Sequence, residues 1–158
     1  MRTIEHPGLA PDAEVVAIAG ERWRTRSMAV AVAVLAALAV WLVTEVVFGL
    51  DLRRPAASVG GATDDVNAVH VAFAATIGSL AGWALLAILE RLTSRARLVW
   101  TAVAVLALLF SLGGPLSGSG ISDANRLALV LMHLVVAAVV IAGLRRTMRA
   151  VPAKAATS

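Results

Sequence analysis

Long apolar stretches alternate with short polar ones along the chain, and the spacing predicts helices that cross a bilayer. Four apolar runs stand out, at 28–50 (MAVAVAVLAALAVWLVTEVVFGL), 66–89 (VNAVHVAFAATIGSLAGWALLAIL), 98–112 (LVWTAVAVLALLFSL) and 127–144. A spanning helix needs roughly 20 apolar residues, and the first, second and fourth runs meet that length. The third is short, because Gly113-Gly114-Pro115 is expected to break it. It reaches span length by letting the arginines at 95 and 97 snorkel or by local thinning of the bilayer. The expected spans are therefore 28–50, 66–89, 96–114 and 124–144. A cytoplasmic segment, 1–27, precedes them and a basic tail, 145–158, follows.

The polar stretches carry ordinary breakers. The segment 53–65 contains proline and glycine and ends in Thr63, Asp64 and Asp65, which are expected to cap the second run. The loop 113–123 (GGPLSGSGISD) leaves Ser122 or Asp123 to cap the fourth. Its glycines are not a phosphate cradle, since no strand precedes them and no Gly-Lys-Ser/Thr follows. Gly-x-Ser/Thr-Asp occurs in both outer loops, at 61–64 and 120–123, each time before a histidine-bearing run. A duplicated hairpin would leave that trace, and so would two independent helix caps. Residues 1–27 are no cleavable signal, because the run that follows is too long and three more come after it. Val15, Ala19 and Trp23 fall at i, i+4 and i+8, which fits a short helix lying on the membrane surface. A disordered tail fits equally well.

Composition agrees with the pattern. The 158 residues are 59% hydrophobic and only 15% charged, with a mean hydropathy of +0.85. A water-soluble domain of this size carries nearer a quarter charged residues. There is no cysteine, which excludes disulfides, thiol redox chemistry and cysteine-ligated metals.

Charge adds an orientation. With four spans, Arg2, Arg22, Arg24, Arg26, Arg91, Arg95, Arg97, Arg145, Arg146, Arg149 and Lys154 share one side. Only Arg53, Arg54 and Arg126 lie on the other. The positive-inside rule puts the first group, and both termini, in the cytoplasm. The isoelectric point near 11.3 is then a topology signal rather than a sign of nucleic-acid binding. The inner basic belt is expected to meet anionic lipid headgroups.

Candidate chemistry lies in the outer half of the spans. Glu45 and His70 fall roughly 9 Å below the outer surface and His133 on the order of 10–15 Å below it. Ionisable groups inside spans commonly mark function. Facing suggests convergence. His70, Ala74, Gly78 and Gly82 step by four along the second run, a small-residue stripe that permits close helix approach. Arg126, Val130, His133 and Ala137 share a face of the fourth. An all-α, up-down four-helix membrane bundle would then point Glu45, His70, His133 and Arg126 inward as a polar cluster. The plain reading is that these groups hydrogen-bond neighbouring helices. The sharper one is a ligand site. Two histidines on separate helices could ligate haem, and two histidines with a carboxylate form a zinc-type set.

Two families bear comparison with the chain. The glutamate in the first run invites comparison with small multidrug resistance transporters. However, this chain has a 27-residue leader, no tyrosine and a strong charge bias, all unlike that family. The segments AGWALLAILER (81–91), RARLVWTAVAVL (95–106), SLGGPL (111–116) and LMHLVVAAVVIAGLRRT (131–147) resemble an uncharacterised four-span membrane protein family of high-GC bacteria. That resemblance implies the fold and a bacterial plasma-membrane location, and assigns no activity. The expected function is a non-enzymatic membrane component, such as an accessory subunit or small-ligand binder, with a homo-oligomer or membrane partner in prospect and no cofactor. The alternative is a haem- or metal-binding redox protein using Glu45, His70 and His133.

Overall fold

The computed structural model describes residues 10–55, 63–117 and 120–148. The fold is all-α, built on four helices: α1 (Ala10–Leu42), α2 (Ala68–Leu92), α3 (Ala96–Ser117) and α4 (Asp123–Thr147). Each contains a segment long and apolar enough to cross a membrane. Many of their large apolar side chains face outward, Phe110, Phe73 and Leu106 among them. Such a surface has no favourable water-facing state and suits a lipid environment.

α1 packs against α2 and α4, α3 packs against the same two, and α2 touches α4 across the middle. The end of α1 meets the chain just before α2, where Trp41 Nε1 donates to the Val66 carbonyl at 2.9 Å. Farther back along α1, Arg26 reaches the last turns of α2 and α4. One core cluster joins Ala37, Leu52, Val66, Val71, Ala75, Ala128 and Met132 near the hairpin. A second joins Leu86, Trp100, Leu144 and Met148 at the basic end.

Several expectations are corrected. α1 runs unbroken from Ala10, so the described part of segment 1–27 continues the first span and forms no separate surface helix. Residues 1–9 lie outside the described part. α1 ends in a π-helical turn, Val43–Val47, with Phe48 N donating to Val43 O at 3.2 Å. Gly49, at φ +62°, then turns the chain, a backbone state that glycine adopts without Cβ strain.

The loop expected at 53–65 holds a small antiparallel hairpin, β1 (Arg53–Pro55) with β2 (Thr63–Asp65), placing Arg53 opposite Asp65 and Arg54 opposite Asp64. Thr63, Asp64 and Asp65 are thus strand residues, and Asn67 caps α2 by accepting from His70 N at 3.0 Å. Ser122 caps α4, accepting from Asn125 N at 3.2 Å. The two Gly-x-Ser/Thr-Asp stretches therefore end in different structures, a strand and a helix cap.

The third run does not break at Gly113. α3 continues through Pro115 to Ser117, 22 residues in all. Pro115 lacks the amide that would bond the Ser111 carbonyl, yet the helix continues past it. Beyond that point the Ser117 hydroxyl turns back onto the Gly113 carbonyl. The Arg126 guanidinium covers two more.

Candidate functional site: polar layers at the two ends of the bundle

At the hairpin end, backbone groups that leave the helices need partners in a poorly hydrated place. Side chains supply them. Trp41 takes the Val66 carbonyl, and Asn125 Nδ2 donates to the Asp51 carbonyl at 3.0 Å. Val66 N donates to Leu52 O at 2.8 Å, which fixes the buried Leu52 side chain over the core. Arg126 Nη1 donates to the carbonyls of Pro115, at 2.7 Å, and Leu116, at 2.6 Å, and Asp123 stands 3.9 Å from its Nε. A cation at the C-terminus of α3 also matches the helix dipole.

The expected polar cluster is differently disposed. His133 is half-buried, and its Nδ1 lies 2.7 Å from the Leu129 carbonyl of its own helix. A carbonyl only accepts, so Nδ1 carries the proton. His70 is exposed in the first turn of α2, and Glu45 is half-buried in the π-helical turn. Among the described residues no three histidine, aspartate or glutamate side chains are grouped to hold a metal ion. Glu45, His70 and His133 thus do not form the zinc-type set that their sequence depths suggested.

The expected packing stripe is displaced too. Ala74 and Gly78 are exposed, and a Cβ at Gly78 would meet nothing within 4 Å. The buried face of α2 is Val71, Ala75, Ser79 and Leu86, one position round the helix. Gly82 does lie at an interface: its carbonyl accepts from the buried Trp100 at 2.8 Å. The tight approach occurs elsewhere, between α1 and α4. Ala29, Ala33 and Ala37 are buried on α1, and a Cβ at Gly143 would stand 2.5 Å from that of Ala29.

The basic end holds a group that sequence reasoning missed. Arg26 Nη2 contacts Glu90 Oε1 at 2.7 Å, and Arg26 Nε donates to Thr147 Oγ1 at 3.0 Å. Thr147 passes its own proton to the Leu144 carbonyl. The Arg26 side chain is only 9% exposed and that of Glu90 25%, so this pair is screened less than a surface one. Three helices meet in it. Glu90 is the lone acid between the second and third runs, which was the available signal.

The remaining charges divide sharply by end. Each described arginine at the hairpin end has an aspartate: Arg53 with Asp65, Arg54 with Asp64, and Arg126 with Asp123. At the other end, Arg22, Arg24, Arg91, Arg95, Arg97, Arg145 and Arg146 make no ion pair with any described residue. Three of these cations, Arg95, Arg97 and Arg145, line an open groove of about 350 Å³ with Ser94, Leu98 and Thr101.

No curated protein and no solved structure matches the chain. Residues 17–150, nearly the whole described bundle, match the model of a family of unknown function, DUF6069, and the chain belongs to that family.

Proposed function

We propose that this protein is a non-enzymatic accessory component of the bacterial plasma membrane, an up-down four-span bundle with both termini in the cytoplasm. The observation that carries the reading is the employment of its membrane-depth polar groups. His133, Arg126, Trp41, Trp100 and Asn125 all bond main-chain carbonyls. Groups used in this way fasten helices and loops. They do not converge on a common point where a substrate atom would sit, which an active site requires. The charge division supports the orientation. Arginines without acidic partners suit the negatively charged cytoplasmic leaflet, and neutralised arginines suit the opposite face.

Purified protein tests the first part. It should show no Soret absorbance and no stoichiometric bound metal, and either signal would overturn the reading in favour of redox chemistry. Fusions test the second part. A reporter active only in the cytoplasm should work at Ser158 and be silent at Ser58, and a silent fusion at Ser158 would reverse the assignment.

A further inference from the structure

We propose that the groove between the start of α3 and the end of α4 is a discrete binding site for the headgroup of an anionic phospholipid. This rests on the membrane orientation proposed above. Arg95, Arg97 and Arg145 line the groove, and none of them makes an ion pair with a described residue.

The local electrostatics are wrong without a ligand. A helix N-terminus carries partial positive charge and favours acidic residues, yet the first turn of α3 has none, contains Arg97 and follows directly on Arg95. An anion in the groove reverses the sign of every one of these interactions. Sites where a sequence breaks a local rule with no compensation inside the chain are where a binding function is expected. Ser94 adds a hydroxyl that can donate to a phosphate oxygen, while the Thr101 hydroxyl is already given to the Arg97 carbonyl at 2.7 Å.

The choice of a lipid over a soluble phosphate comes from the groove's lower wall. Leu98 lines it with 69% of its surface exposed, and Leu92 nearby is 76% exposed. Below them α3 presents Val105, Leu106 and Leu109 outward. A headgroup held by the arginines therefore has its acyl chains lying against an apolar helix face, which a free anion cannot use.

The test uses the full chain in nanodiscs of phosphatidylcholine with or without phosphatidylglycerol, with bound lipid counted by native mass spectrometry. The variant Arg95→Gln/Arg97→Gln/Arg145→Gln is compared with Arg24→Gln/Arg91→Gln/Arg146→Gln, which removes equal charge from the same end outside the groove. One phosphatidylglycerol should stay bound to wild type and to the second variant. The first variant should bind it roughly tenfold or more weakly. All six positions are exposed, and unchanged thermal melting confirms that both variants fold. Equal weakening in the two would show a diffuse belt and overturn the site, while leaving the non-enzymatic reading to its own spectral and metal tests. Inorganic phosphate that binds the groove alone and displaces the lipid would mean a soluble-anion site and would equally overturn the proposal.

Discussion

Gly143 on α4 faces Ala29 on α1 so closely that a Cβ at Gly143 would come within 2.5 Å of the alanine Cβ. The missing side chain at one residue allows the other to sit where it does. Gly143→Ala should force the two helices apart and lower stability in detergent by about 1–3 kcal/mol. Gly78→Ala, where an added Cβ meets nothing, should be neutral or stabilise by up to about 1 kcal/mol through helix propensity. Thermal unfolding of the two variants side by side decides the matter. Equal losses would mean that the α1–α4 contact is not the tight one.

Arg26 and Glu90 form a pair that is expensive to halve. Arg26→Met leaves the Glu90 carboxylate without its 2.7 Å partner and should cost about 2–3 kcal/mol. Glu90→Gln removes the counter-charge of the guanidinium, which keeps its bond to Thr147 Oγ1. The double variant should lose clearly less than the sum, because no uncompensated charge remains. Strict additivity in a double-mutant cycle would show that the pair contributes nothing as a pair.

Arg126 holds the last carbonyls of α3. Replacing it with alanine should release the turn after Pro115 while leaving the middle of α3 intact. Hydrogen exchange should then rise at Leu116 and Ser117 and stay unchanged at Val103 to Leu106. The overall loss should be about 1–2 kcal/mol, as for other lost helix caps. Unchanged protection at Leu116 would show that other groups end the helix.

His133 is bonded within its own helix, and the Leu129 carbonyl that it touches also accepts the regular helical bond from the His133 amide. Removing the ring strands nothing. His133→Leu should therefore change stability by less than about 1 kcal/mol. Combining His133→Ala with Glu45→Ala should be additive within about 0.5 kcal/mol. A strong coupling between the two in a double-mutant cycle would bring back the shared outer cluster.

The four spans were legible because lipid selects on hydropathy and length, both of which are local in sequence. Their facing was not. The second run is apolar on all sides, so periodicity could not decide between the face of Gly78 and the face of Ser79, which lie about 100° apart. The end of α3 was misread because Gly-Gly-Pro ends helices in water, whereas here Arg126, from the following helix, supports the last turn. The π-helical turn at Glu45 carries no sequence mark. Ser122 was recognisable as a cap from its position before an apolar run. Arg26 and Glu90 were visible as residues, but 64 positions separate them, and only the packed bundle brings them together.

α1 has a mechanical consequence. It is a single rod from Ala10 into the bilayer, and the stretch from Ala10 to Arg26 alone is about 25 Å long. Its winding stays α-helical through Gly20, and the first departure is the π-helical turn at Val43, at the far end. The rod is held at Arg26 to both neighbouring helices, and Trp23, about one turn farther back, still meets Trp83 of α2 edge to face. Because the helix is unbroken, a tilt of α1 about Arg26 would carry its Ala10 end and its Trp41 end in opposite directions, and Trp41 would draw on the Val66 carbonyl that it holds.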